Sequence, residues 1–219
     1  MEQYQRSFIQ LALENQALRF GEFTLKSGRV SPYFFNVGQL NSGEILKALG
    51  ECYASAITHA KISYDVLFGP AYKGIPLACA TAIALSAQYK QNVPYSFNRK
   101  EAKDHGEGGM IIGAPLNGRI LIIDDVITAG TAIRESFDII KQHGAQVAGI
   151  VVALDRQEKG QGEQSAIGEI ENTYQTPVKA IITFADIINY VETNPEFSDY
   201  IQPMKAYRAQ YGVQKEYII

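Results

Sequence analysis

Only two cysteines occur in the chain, Cys52 and Cys79, and their spacing suits neither a metal site nor a redox pair. A disulfide framework and a structural zinc site are thereby excluded as the basis of the fold, and both thiols are expected as buried filler. No apolar run approaches the length of a membrane span, and the first residues, Met1 to Arg6, lack a signal-peptide core, so no membrane partner is expected and a soluble cytoplasmic protein is. A positive excess is missing too: 20 Lys+Arg against 23 Asp+Glu leave a net charge of −3. That excludes a general nucleic-acid footprint, and the basic residues that matter must act locally. Gly21, Glu22, Lys26 and Ser27 come near a Walker A string, but Leu25 stands where the glycine before the lysine should be, which removes the ATPase reading.

What the chain does have is enough apolar material, 46% of 219 residues, to bury one sizeable core. Neither repeats nor linkers divide it, so one domain over residues 1–219 is expected. Helical spacing of Phe8, Leu11, Ala12 and Leu18 predicts an opening helix over residues 4–18. Residues 20–37 read as two strands joined at Lys26-Ser27-Gly28-Arg29, a hairpin forming a hood over residues 1–40. Ser42 announces a helix whose apolar face carries Ile45, Leu46, Leu49, Tyr53, Ala56 and Ile57. Strands are then predicted over residues 65–70, 93–98, 120–125, 146–154 and 178–184. The helices fall over 76–89, 133–143, 186–192 and 198–211, with a surface loop over 157–168. The alternation gives an α/β fold with one mostly parallel sheet and helices on both faces.

The organising stretch is Ile120-Leu121-Ile122-Ile123-Asp124-Asp125-Val126-Ile127-Thr128-Ala129-Gly130-Thr131-Ala132. A short apolar run suits a strand buried on both faces, two acids close it, and small residues lead into a helix. Such a junction aims unpaired backbone N–H groups and the positive end of a helix dipole at one point, which suits a phosphate monoester. Two carboxylates beside a bound anion need another task. Accepting hydrogen bonds from vicinal sugar hydroxyls is one, and helping to hold a divalent cation is another. A phosphorylated ribose satisfies both halves.

Three further places collect chemistry. Lys73 follows the strand over 65–70 and precedes a helix, so it should face the same crevice as Asp124, where ligands gather in an open α/β sheet. Residues 99–109 hold Arg99, Lys100, Lys103 and His105 among three glycines with no apolar residue larger than alanine; they are expected as a mobile lid that closes over a polyanion. Arg156 follows the strand over 146–154, again on the crevice side, and Tyr33-Phe34-Phe35 must send at least one ring off the core face.

The segment 122–131 resembles the phosphoribosyl pyrophosphate (PRPP) motif of the type I phosphoribosyltransferases. Lys26, Phe34-Phe35, Tyr72-Lys73, Arg99 to His105 and Arg156 closely match the pattern of the bacterial orotate phosphoribosyltransferases, from the first helix to about Val213. That resemblance implies transfer of the 5-phosphoribosyl group from PRPP to orotate, giving orotidine 5′-monophosphate and pyrophosphate in de novo pyrimidine (UMP) synthesis. It implies magnesium held mainly by PRPP or pyrophosphate near Asp124 and Asp125, with no protein ligand assigned, and a homodimer whose lid serves the neighbouring subunit. Lys73, Lys103, His105, Asp124 and Asp125 are the implied catalytic residues. PRPP contacts are implied for Lys26, Tyr72, Lys73, Arg99, Lys100, Lys103, His105, Asp124, Asp125, Val126, Ile127, Thr128, Ala129, Gly130, Thr131 and Ala132. Orotate contacts are implied for Lys26, Phe34, Phe35, Thr128 and Arg156. A purine phosphoribosyltransferase, or a PRPP-sensing regulator of the same fold, is the competing reading; the first has no use for Arg156 with the hairpin, the second predicts a basic face.

Overall fold

A computed structural model describes residues 1–25, 27–103, 109–128, 130–160 and 162–213. Six strands form the central sheet in the order β5-β4-β3-β6-β7-β8: β3 (Val66–Gly69), β4 (Tyr95–Lys103), β5 (Gly109–Gly113), β6 (Arg119–Asp124), β7 (Gln146–Asp155) and β8 (Val178–Thr183). All neighbours run parallel except β4 and β5. Strand β6 sits inside the sheet, and the period-2 alternation of its side chains sends Leu121 and Ile123 to one face and Ile120 and Ile122 to the other. All four are fully buried, each stabilising by about 1.5–3 kcal/mol relative to exposure. The sum offsets the cost of holding an acidic pair at the strand's end.

Helices cover both faces. On the first lie α1 (Gln3–Glu14), α2 (Gly43–Ala60), α3 (Gly74–Tyr89), α6 (Phe184–Thr193) and α7 (Ile201–Tyr211), contributing Phe8, Tyr53, Leu77, Ile187 and Met204 to one core cluster. On the second, α4 (Thr131–Gln142) and α5 (Ala166–Tyr174) add Ile133, Ile140, Ile167 and Ile170 to another. A separate antiparallel hairpin, β1 (Leu18–Thr24) with β2 (Val30–Phe35), forms the hood. It is fastened by Tyr33 stacked on Phe184, with ring centroids 4.8 Å apart, and by Phe20 edge-on to Phe197. No helix of the described residues is long and apolar enough to cross a membrane. Cys52 is buried, which pushes its thiol up to about 12; Cys79 is only partly covered.

Several expectations are corrected. The opening helix stops at Glu14, because Gln16 takes φ +56° and the turned chain sends Leu18 into β1. The stretch 99–109 is not an open loop from its start: β4 runs on through Lys103, and Gly109 begins β5. Its pairing partner lies just beyond the glycines, where Ile111 and Ile112 face Asn98 and Phe97 across an antiparallel ladder. Residues 104–108 lie outside the described residues. The polar stretch after Gln157 leads into α5, which begins once Ser165 accepts from the Gly168 N–H.

Candidate functional site

The crevice is built where β3, β6 and β7 end together. Past Asp124 the chain stays on the β7 side, with the Ala153 N–H donating to the Asp125 carbonyl at 2.8 Å. On the β3 side the ladder has stopped: Phe68 opposes Ile122, and the Ala71 N–H turns to Asn98 Oδ1 at 2.9 Å. The Asp124 carbonyl is satisfied instead by the Tyr53 hydroxyl, donated from α2 at 2.8 Å. A buried carbonyl left unpaired there would be costly, so Tyr53 fixes the last residue of β6.

Glycine brings α3 to the same place. A Cβ on Gly69 would lie 2.2 Å from the Gly74 carbonyl oxygen, and one on Gly74 would lie 2.8 Å from the Ile123 carbonyl oxygen. Only glycine at both positions allows the first turn of α3 to rest on β6. Lys73, immediately before that turn, consequently reaches Asp125, with Nζ 2.6 Å from Oδ2. Tyr72, after a cis Ala71–Tyr72 bond, exposes its ring to solvent.

Both carboxylates are 7% exposed. Asp124 Oδ1 accepts from the Asp125 N–H at 2.9 Å, and Asp125 Oδ1 from the Val126 N–H at 2.8 Å, so the two side chains fold back over the start of the loop. Burial, reinforced by the neighbouring Asp125 charge, pushes the Asp124 carboxyl up to about 7 against the pull of the Asp125 N–H and Lys73.

Beyond the pair, Val126 is half-buried, Ile127 buried and Thr128 exposed. Gly130 takes φ +69° and starts α4 without a side-chain cap, and Thr131 and Ala132 are exposed in the first turn. Ser42, Ser165 and Thr183 cap α2, α5 and α6, whereas α3 and α4, whose N-termini open on the crevice, have no such side chain. First-turn N–H groups of α4 are thus left without a side-chain acceptor at the edge of the crevice, an arrangement that suits an anion.

The remaining residues divide. Lys100 Nζ, on β4, is 3.5 Å from Glu135 on α4, which brings that strand beside the helix that follows the acidic pair. Arg99 donates to the Gly109 carbonyl across the hairpin at 3.5 Å. Arg156, just past β7, lies over the Tyr33 ring at 4.5 Å and pairs with Glu158 at 2.6 Å. The aromatic triplet alternates as a strand requires. Tyr33 is fully buried, and Phe35 packs edge-on to Phe8 in the core. Phe34 faces outward against Phe23, under the Arg19 guanidinium. The ring beside Arg156 is thus Tyr33, and neither Phe34 nor Phe35 presents a face to that guanidinium. Lys26, the Lys103 side chain, His105 and Ala129 lie outside the described residues.

Tyr53 and Glu158 were invisible as site residues. Tyr53 sits on the apolar stripe of α2, where an aromatic reads as core, and Glu158 opens a polar stretch that reads as surface. The Gly-Pro and Gly-Ile-Pro breaks around Lys73 did carry a signal, as helix and strand boundaries.

Residues 36–168 match the family model described as the phosphoribosyl transferase domain. Across 213 residues the chain is 59% identical to the orotate phosphoribosyltransferase of Photorhabdus laumondii, covering 97% of this chain and 100% of that one. The chain belongs to the orotate phosphoribosyltransferase family. The enzyme of Yersinia enterocolitica is 57% identical over the same shares. The crystal structure of the orotate phosphoribosyltransferase of Francisella tularensis superposes with a TM-score of 0.86 at 46% identity, covering 94% of this orotate phosphoribosyltransferase chain and 98% of that one.

Proposed function

We propose that this enzyme carries out orotate phosphoribosyl transfer in the crevice closed by Asp124, Asp125, Lys73 and the first turn of α4. The observation that carries the reading is the Lys73–Asp125 contact beside an uncapped helix N-terminus: one acceptor pair, one exposed cation and one anion seat gathered at one edge of the sheet. The 5′-phosphate of PRPP sits against residues 126–132, and the ribose hydroxyls donate to Asp124 and Asp125. Lys73 is 60% exposed on its side chain and free to swing. It leaves Asp125 for the incoming diphosphate, which releases the carboxylate to the sugar. Lys26, Tyr72, Arg99, Lys100, Lys103 and His105 complete the diphosphate shell, with residues 99–109 as the closing segment. Orotate lies toward Arg156 and Thr128, with the Lys26 and Phe34-Phe35 part of the hood beside it.

As a ring nitrogen of orotate attacks C1 of the ribose, the bond to pyrophosphate breaks; positive charge grows on the sugar and negative charge on the leaving group. Holding both reactants and spreading the pyrophosphate charge over cations supplies the rate. Among the described residues no group of three or more His, Cys, Asp or Glu side chains stands ready for a metal. The donor set that is present, two carboxylates beside a diphosphate seat, fits magnesium taking most of its ligands from substrate and water. When bound, magnesium neutralises the leaving group, with Asp124 and Asp125 as the nearby protein oxygens.

We place the enzyme in the cytoplasm, as one phosphoribosyltransferase domain over residues 1–219 (hood 1–40, lid 99–109, PRPP motif 120–132), working as a homodimer in which the lid completes the neighbour's site. Purified protein with PRPP and magnesium should consume orotate and neither uracil nor hypoxanthine. Consumption of hypoxanthine instead would reassign the base, and consumption of none would favour a PRPP sensor.

A further inference from the structure

Glu158 follows Arg156 by two residues, in a polar stretch, yet its side chain is only 13% exposed. Its Oε1 accepts from Arg156 Nε at 2.9 Å and lies 2.6 Å from Arg156 Nη2, so the carboxylate takes the side-on edge of the guanidinium. The Tyr33 hydroxyl, 3.5 Å from the same oxygen, and the Tyr33 ring under the guanidinium hold the group from below.

The carboxylate itself is held by its backbone and by Arg29, whose Nη1 lies 3.9 Å from Oε2. Glu158 forms an antiparallel bridge to Gly212, the Lys159 N–H donates to the Tyr211 carbonyl at 2.8 Å, and the Val213 N–H donates to Gln157 at 2.9 Å. The chain after α7 and the end of β7 therefore clamp this acid from both sides. A guanidinium has five N–H donors in a rigid fork. The contacts to Glu158 and Ser31 engage Nε and Nη2, the latter 3.4 Å from Ser31 Oγ, and the buried Tyr207 hydroxyl lies against the same guanidinium and carboxylate.

We propose that Glu158 is a positioning residue for the substrate's carboxylate: it locks the rotation and plane of Arg156 so that the far end of the fork is aimed into the crevice. The inference rests on Arg156 meeting the orotate carboxylate, as read above. It competes with a plainer possibility of opposite sign, in which Glu158 is a rival anion that occupies Arg156 and weakens orotate binding.

Three substitutions separate these. Glu158→Gln removes the charge and keeps an oxygen for Nε–H; Glu158→Asp keeps the charge and withdraws it from the fork; Glu158→Ala removes both. KM is read for each substrate because, unlike kcat, it does not depend on the fraction of enzyme that is folded. Alignment raises the orotate KM about tenfold or more in Glu158→Ala and Glu158→Asp, the scale of a lost hydrogen bond to a charged group. It leaves Glu158→Gln within about threefold of the parent, and the PRPP KM within about twofold throughout, since only an orotate-side bond is touched. A lowered orotate KM in Glu158→Ala and Glu158→Gln overturns the proposal in favour of the rival anion. An equal rise in Glu158→Gln and Glu158→Ala overturns it too, by assigning the effect to charge. Arg156→Ala is the control: a raised orotate KM there with unchanged values in all Glu158 variants sinks this inference alone, whereas no change in Arg156→Ala sinks the reading on which it rests. Should Glu158→Ala not fold, the Gln and Asp variants decide the matter by the same criteria.

Discussion

Lys73 and Asp125 lie 52 residues apart in sequence and 2.6 Å apart in space. The contact exists because β3 and β6 are parallel neighbours, so the junction after each opens at the same edge of the sheet. With 60% of the lysine side chain exposed, the ion pair contributes only about 0–1 kcal/mol to stability. On the proposed function its value lies in catalysis.

Lys73→Ala should therefore lower kcat/KM for PRPP by roughly a hundredfold, the scale of one lost charge-stabilising donor, while the melting temperature moves by less than about 3 °C. Steady-state kinetics beside a thermal melt check this. A large melting shift with modest kinetic loss would make the lysine a structural residue.

Tyr53→Phe removes the donor to the Asp124 carbonyl and leaves that oxygen buried and unpaired. The cost should be about 1–3 kcal/mol, or roughly 2–12 °C for a chain of this size. The PRPP KM should rise several-fold with the orotate KM unchanged, because only the sugar-holding end of β6 is loosened.

The Asp124 carboxyl ionises near pH 3.8 when the chain is unfolded and, being buried next to Asp125, near 7 when it is folded. The folded state thus binds a proton that the unfolded state has already released. The contribution of this carboxyl to stability is therefore greatest below about pH 4 and is lost as pH rises through about 7. Asp124→Asn keeps an oxygen for the Asp125 N–H and carries no proton to lose. Without ligands, its melting temperature relative to the parent should be about 10 °C more favourable at pH 8 than at pH 4. Equal differences at the two pH values would show that the carboxyl titrates normally.

Gly74→Ala would force a methyl to within 2.6 Å of Pro70 Cδ and 2.8 Å of the Ile123 carbonyl oxygen. Because backbone cannot step aside cheaply there, a loss of about 2–4 kcal/mol is expected. Denaturant titration measures it. A near-neutral result would mean that α3 can slide off β6 without harm.

Lys103→Ala and Asp125→Asn should each be nearly inactive alone. If the lid serves the neighbouring subunit, mixed dimers place one intact site between two defective chains, so co-refolding equal amounts should return up to about a quarter of parent activity. No recovery, with mixed dimers shown to form, would place the lid over its own subunit's site.

Much of this was legible in the chain itself. Ile120 to Ile123 read as a doubly buried strand because an unbroken apolar run admits no solvent face, and both core clusters use it. The small residues after Asp125 read as a phosphate seat because such a seat asks for backbone donors and close approach rather than particular side chains. The aromatic triplet had to split between two faces, and it does.

Other features had no local signature. β5 went unseen because it is a short run directly after a polar, glycine-rich stretch, and its Ile111 and Ile112 find their partners, Asn98 and Phe97, only across that stretch. Tyr53 looks like core until its hydroxyl is found under a strand end 71 residues away. Glu158 looks like surface until Arg156, Tyr33 and Gly212 close around it.

The sequence by itself determined most of the elements, the layered sheet and the composition of the loop after β6, since periodicity, breakers and backbone donors are properties of neighbours along the chain. Tertiary structure alone decided which distant groups serve that loop: Lys73 on Asp125, Tyr53 on Asp124, Glu158 on Arg156. The order of strands in a sheet and the close approach of glycines fix those meetings, and neither is written in any stretch short enough to read locally.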